Sequence, residues 1–375
     1  MVEIKEVKTK KEIKDFIEFP LKLYKDNAYF VPPLYSSEKA LFSKKNPYAS
    51  CSDTLYLLAY KNGKLVGRIS GIIQKDANEK WHQNNVRFTR FDSIDDQEVA
   101  NTLFDSVVSW AKQKGMNRIQ GPLGFNDLER EGLLIEGFDK LATFEEQYNF
   151  SYYQKLIENY GFQKDIDWFE QELKLPKNYK EEMTSLLAMQ NIIFKKYKLH
   201  FSKQKSFSTF FDQNKDEFFR LLEDTYSELY GTCPIRKEVQ DDLSKGIKTL
   251  IKRENISIVF NEKNEMVAFW LSFPSIALAI KKSNGKTNPA TIIRILKAIS
   301  KPKVLDLGLI GIRNDYKNSG IPVAMLVSVF TMFEKGNYDH IETNLTLETN
   351  KPILNLLSRF DGTIHKKRRS YIKAI

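Results

Sequence analysis

One succession of apolar patterns occurs twice in this chain, the second copy about 200 residues after the first, and that repeat restricts the fold more than any composition figure. Tyr24 stands before Pro32 at the same spacing as Tyr226 before Pro234, and each follows an apolar helical stretch (Ile13 to Tyr24, Phe218 to Tyr230). A two-strand pattern comes next. In the first half Leu55 to Tyr60 and Leu65 to Ile73 flank the turn 61–64; in the second, Ile256 to Phe260 and Met266 to Phe273 flank the turn 261–264. β-branched and aromatic runs on either side of Asn and Gly form the hairpin signal. A strand follows in each half (Val86 to Phe91; Val304 to Ile312). Then comes an amphipathic helix, with Val99, Leu103, Val107 and Trp110 on one face in the first half and Pro322 to Lys335 in the second. Each copy continues with a strand (Arg118 to Gln120; His340 to Leu345), a short helix (Tyr152 to Asn159; Lys351 to Arg359) and a closing strand (Trp168 to Leu175; Ser370 to Ile375). A boundary is expected at Pro176, giving domains 1–176 and 177–375, with the charged helical segment Asn178 to Lys198 leading into the second half.

A length of 375 residues agrees with two domains, and 42% hydrophobic with 13% aromatic residues supports packed cores. The longest apolar stretches, such as Val323 to Phe333, fall short of the ~20 residues that span a bilayer. The N-terminus lacks the apolar run of a signal peptide. The expectation is a soluble cytoplasmic protein with no membrane partner. Cys51 and Cys233 are far apart, and the four histidines are scattered, so no metal site is expected. The net charge of +10 could draw nucleic acid, a membrane surface or a small polyanion. Part of it is local, in Lys195, Lys196, Lys198, Lys203 and Lys205 and in Lys366 to Arg369, and these read as solvated lysine and arginine.

This element order resembles the GNAT acyltransferase superfamily. More narrowly, Asp15 to Pro20, Leu23 to Leu34, Gly121 to Asp139, Tyr148 to Tyr153 and Leu309 to Gly320 resemble stretches of an uncharacterised bacterial tandem-GNAT family. The resemblance implies an α+β (mixed α/β) chain made of two GNAT-like folds, each a mostly antiparallel sheet flanked by helices. Acetyl-CoA or another acyl-CoA would then lie where the fourth and fifth strands splay apart. In that family a Gln/Arg-x-x-Gly-x-Gly/Ala turn cradles the pyrophosphate at a helix N-terminus, where orphan amides and the dipole favour an anion. The matching segment is Tyr316 to Pro322. It implies cofactor contacts at Lys317, Asn318, Ser319, Gly320 and Ile321, at Leu309 and Gly311 on the fourth strand, and at Asn350; Pro322 replaces a glycine and offers no N–H. The first half has Asp92 to Glu98 there, with no glycine, and Asp95 with Glu98 reads as a capping box. Coenzyme A is therefore not expected in the first half.

The tyrosine acid usual in the family falls on Leu357 and, in the first half, on Ile157. That leaves Glu348 as candidate base and Tyr371 as candidate acid. The Gly-rich acidic run from Gly121 to Asp139 provides candidate acceptor contacts in Asn126, Glu131 and Asp139. Three readings stay open: an acyl-CoA-dependent N-acyltransferase acting on a small amine or amino-acyl acceptor; a non-catalytic acyl-CoA or small-ligand binder; and a relative of transferases that use aminoacyl-tRNA. Nucleic acid is the least favoured partner.

Overall fold

The structure is a computed structural model that describes residues 1–43, 46–204 and 206–375; Lys205 of the mid-chain lysine group lies outside them. The strands are β1 (Val2–Glu6), β2 (Ser52–Lys61), β3 (Lys64–Gln74), β4 (Asn85–Ser93), β5 (Arg118–Gly121), β6 (Leu133–Glu136), β7 (Gln163–Lys174), β8 (His200–Phe201), β9 (Ile256–Phe260), β10 (Met266–Pro274), β11 (Val304–Ile312), β12 (His340–Thr343), β13 (Thr346–Leu347) and β14 (Asp361–Ala374). The helices are α1 (Lys10–Leu23), α2 (Tyr35–Ala40), α3 (Lys75–Lys80), α4 (Gln97–Gln113), α5 (Tyr152–Asn159), α6 (Tyr179–Lys196), α7 (Phe207–Tyr226), α8 (Lys237–Leu250), α9 (Ala277–Lys281), α10 (Pro289–Ser300), α11 (Ile321–Gly336) and α12 (Lys351–Leu357). No helix among the described residues is long and apolar enough to cross a membrane.

Both halves have the expected mixed α/β form, but their strands join in one continuous 14-stranded sheet. Its spatial order is β1-β2-β3-β4-β5-β14-β7-β12-β11-β10-β9-β8, antiparallel except at the pairs β4–β5 and β11–β12. The two closing strands are exchanged. β14, from the end of the chain, pairs with β5 of the first half, and β7, from the first half, pairs with β12 of the second. β7 and β14 also pair with each other, from Lys174–Asp361 to Gln163–Ile372. The exchange gives every central edge a partner, which removes two strand edges that would otherwise face solvent.

Both closing strands run longer than their apolar patterns predict. β14 starts at Asp361 rather than Ser370, because Lys366 to Arg369 are not the solvated cations that the sequence suggests: Lys366 is 1% and Arg368 0% exposed. Lys366 Nζ lies 2.7 Å from both Glu170 and Glu342, and Arg368 Nε lies 2.6 Å from Glu170. A charged run can enter a sheet interior only where carboxylates meet it.

The repeated Tyr-to-Pro segments reach across to the opposite half. After Tyr24, the carbonyls of Asn27 and Phe30 accept from Lys281 Nζ (2.9 and 3.1 Å), and Tyr35 donates its N–H to Gly285. After Tyr226, the Thr232 carbonyl accepts from Trp81 Nε1 (2.8 Å), and that of Gly231 from Arg87 (2.8 Å). Gly285 sits at φ +73° with Pro33 O 2.1 Å from where a Cβ would lie, so only glycine fits this crossing.

Candidate functional site

The two parallel pairs open into wedges. β11 and β12 stay paired from Val304–His340 to Leu307–Thr343. After one more bond, from Asn344 N–H to Leu307 O, β13 turns to pair with β7. The edge of β11 that this divergence exposes is partly engaged by α7: Tyr226 Oη accepts from Ile310 N–H at 3.4 Å, and Thr225 Oγ1 donates to Ile312 O at 3.4 Å. Burial pushes the Tyr226 phenol up, so it stays protonated. In the first half β4 and β5 part after Arg87–Gln120. The end of β4 is closed by tyrosines, with Tyr153 Oη accepting from Ser93 N–H (3.0 Å) and Tyr152 Oη donating to Ser93 O (2.7 Å).

A cavity of about 780 Å³ lies between the halves, within the range of small-molecule sites. Apolar side chains such as Leu34, Phe144, Phe219, Leu250 and Phe273 form most of its wall, and Gly308, Leu309 and Asn344 bring it to the mouth of the β11–β12 wedge. Its charged lining includes Glu145 and Arg130, together with Glu38, Arg68, Arg90 and Glu129. Burial, with the nearby charges of Asp306 and Glu146, pushes the Glu145 carboxyl up to about 8. Asn344 Nδ2 donates to Glu145 Oε2 at 3.4 Å, so an element of the second half orients a carboxyl of the first. Burial also lifts Glu146 and Asp306 to about 8. Glu170 follows the opposite course: burial works to raise it, but Lys366 and Arg368 outweigh that and hold it down to about 2. Neighbouring carboxyls thus separate into ionised, cation-paired groups and groups that exchange protons near neutral pH, the division that acid–base chemistry requires.

The turn that resembles the phosphate loop is half-furnished. Gly320 caps α11 at φ +82°, and Ile193 of α6 lies 2.8 Å from where its Cβ would be. Tyr316, Lys317 and Ser319 donate their N–H groups within the turn, and Ile321 N–H goes to Ser319 Oγ at 3.2 Å. The amides of Asn318 and Gly320 have no acceptor among the described residues, and the Lys317 side chain is exposed. Two amides and one ammonium fit a phosphate group; they do not make the full cradle.

Leu309 lines the cavity, whereas Gly311 backs onto Phe269. Asn350 caps α12, its Oδ1 accepting from Ile353 N–H at 3.4 Å. Glu348 is held by Lys164 (2.9 Å) and by Asp167 N–H (3.1 Å). The exchange of closing strands puts Tyr371 in the first half's core, donating to Glu158 at 3.1 Å. Asn126 is buried and accepts from Leu128 N–H (3.0 Å), Glu131 is buried with Oε1 unpartnered, and Asp139 is exposed beside Lys140. Of the acidic run, Leu128, Glu129 and Arg130 reach the cavity. The capping box expected at Asp95 and Glu98 is corrected by one residue. Asp96 caps α4, with Oδ1 accepting from Glu98 N–H (2.9 Å), while the Glu98 carboxylate meets Lys61 at 2.8 Å instead of the backbone. Glu145 and Asn344 were not singled out from sequence, and Tyr226 only as a marker of the repeat; the adjacent acids Glu145 and Glu146, in an otherwise aromatic stretch, are the one signal that could have pointed to Glu145.

No family model matches the chain. A tandem GNAT protein from the clavulanic acid biosynthesis pathway aligns in structure over 100% of this chain and 98% of that one, with TM-score 0.57 and 7% identity. The fold is that of the tandem GNAT proteins. In sequence, Protein YghO of Escherichia coli (strain K12) is 28% identical over 98% of this chain and 94% of its own length. A protein named bacterial ceramide synthase, from Caulobacter vibrioides, is 25% identical over 98% of this chain and 96% of its own.

Proposed function

We propose that this chain is an N-acyltransferase whose acceptor is an amine carried on an apolar chain, with Glu145 as the general base. The observation that carries the reading is a carboxyl raised to about 8, in the lining of a mostly apolar cavity that reaches the β11–β12 wedge. The tandem GNAT fold supports acyl transfer. Ceramide, the product in one relative's name, is an N-acylated amino alcohol with long apolar chains, which agrees with the walls of this cavity. An acyl-coenzyme A would supply a thioester, with a phosphate at Lys317, Asn318 and Gly320. The amine nitrogen attacks the thioester carbonyl, the carbon–sulfur bond breaks, and the nitrogen proton passes to Glu145. Tyr226, whose buried hydroxyl stays protonated against the edge of β11, is the candidate to return a proton to the leaving sulfur. Proximity of amine and thioester supplies most of the acceleration.

The test is mass spectrometry of the chain incubated with an acyl-coenzyme A and a long-chain amino alcohol. An amide product that Glu145→Gln reduces by at least about a hundredfold supports the reading. No amide from any acyl-coenzyme A and amine pair overturns it. A second reading, a ligand-binding protein without chemistry, draws on Ser319 occupying the Ile321 amide. It predicts coenzyme A binding with no product.

A further inference from the structure

Between Met266 and Leu305 the chain has no acidic residue, yet it carries seven cations: Lys281, Lys282, Lys286, Arg294, Lys297, Lys301 and Lys303. This segment contains α9 and α10. The inner face of α10 buries Thr291 and Ile299 and brings Ile295 to the cavity, alongside Thr287 and Ile276. Its outer face is also apolar: Ile292 is 50%, Ile293 66% and Leu296 60% exposed, and Leu278 on α9 is 60% exposed. Four exposed aliphatic side chains on helices whose inner faces already pack on the core make an apolar surface that has no partner among the described residues. Lys281 is used inside the fold, on Asn27 and Phe30, and Lys303 approaches Asp339 at 3.9 Å. Lys282, Lys286, Arg294, Lys297 and Lys301 are exposed and have no carboxylate partner among the described residues.

We propose that α9 and α10 dock this chain on an anionic lipid surface. Ile292, Ile293, Leu296 and Leu278 enter the boundary between headgroups and acyl chains, and the surrounding cations contact lipid phosphates. Exposed aliphatic residues ringed by unpaired Lys and Arg are the composition of helices that lie in a membrane interface. Charge complementarity selects this occupant. A second copy meeting this face about a two-fold axis would oppose its own all-cationic surface. Nucleic acid would satisfy the cations but leave the aliphatic side chains without a role. Docking also places α10, one wall of the cavity, against the bilayer, so an acceptor with an apolar chain could enter from lipid without crossing water. That last consequence rests on the proposed acyl transfer; the docking does not.

The experiment is flotation of the full chain with vesicles of phosphatidylcholine alone or mixed with phosphatidylglycerol, with no acyl donor or acceptor present. The result expected is binding to the anionic vesicles only, weakened by salt. Two variants at exposed positions, Ile292→Asn/Leu296→Asn and Arg294→Glu/Lys297→Glu, should each lower the partition at least about tenfold while circular dichroism stays unchanged. Failure of wild type to bind anionic vesicles, or equal binding by either variant, overturns the proposal. So does a wild-type dimer in sedimentation that the aliphatic variant dissociates, since the occupant is then a second copy. Failure of amide synthesis alone leaves the docking result standing.

Discussion

Glu145→Gln is the perturbation that bears most directly on the proposed chemistry. Burial and the charges of Asp306 and Glu146 place the Glu145 carboxyl at about 8. A base must be ionised to act, so about a tenth of the enzyme is competent at pH 7 and about a hundredth at pH 6. The base therefore contributes a slope of about one to log kcat/KM below pH 8, and that contribution ends near pH 8. The acceptor amine adds its own ionisation, which belongs to the substrate and stays when the protein is changed. Glu145→Gln keeps the shape and the Asn344 contact but removes the base, so kcat should fall by about a hundredfold or more. The inflection near pH 8 should vanish while that of the amine remains. The assay is steady-state amide formation across pH, with KM separated from kcat and coenzyme A affinity followed by calorimetry. A variant that keeps kcat within threefold and the same inflection refutes Glu145 as the base. Loss of coenzyme A affinity alongside the rate would assign it to binding instead.

Glu146 is 3% exposed, and its folded value of about 8 exceeds the ordinary 4.5. The folded state therefore holds the extra proton, and wild-type stability falls as pH rises through that window; Glu146→Gln should gain up to about 5 kcal/mol in urea unfolding at pH 9 and nothing below pH 4. Glu170 has the opposite sign: held down to about 2, it contributes stability that is full above pH 5 and lost as pH falls towards 2. Lys366→Met should cost about 3–5 kcal/mol at pH 7, because it leaves Glu170 and Glu342 short of a buried cation. Lys317→Glu should weaken coenzyme A binding in calorimetry by at least about 1 kcal/mol, and unchanged affinity would remove that turn from the site.

The local physics of the chain was legible without coordinates. Hairpin signals and helical periodicity located both copies, and the strands Ile256–Phe260 and Val304–Ile312 have the bounds their patterns indicate. Those signals act over a few residues, so a sequence carries them directly. The cap at Asp96 shows their limit, since two adjacent aspartates offer the same chemistry and only backbone geometry selects one.

Pairing over long sequence separations was beyond reach. No pattern states that β14 inserts beside β5 and β7 beside β12, because a strand's alternation specifies its faces and not its neighbour. That exchange reversed the reading of Lys366 to Arg369, whose cations look solvated until Glu170 and Glu342 are placed beside them. It also carried Tyr371 out of the second half. Glu145 reads from sequence as one acid among many, because its displaced pKa comes from burial and from Asp306, which is far along the chain. A sequence can show that no segment spans a bilayer; whether Ile292, Ile293 and Leu296 face outward depends on what α10 packs against. Propensity and periodicity are local properties, whereas burial and the meeting of charges come from the whole fold, and the candidate site consists of the latter.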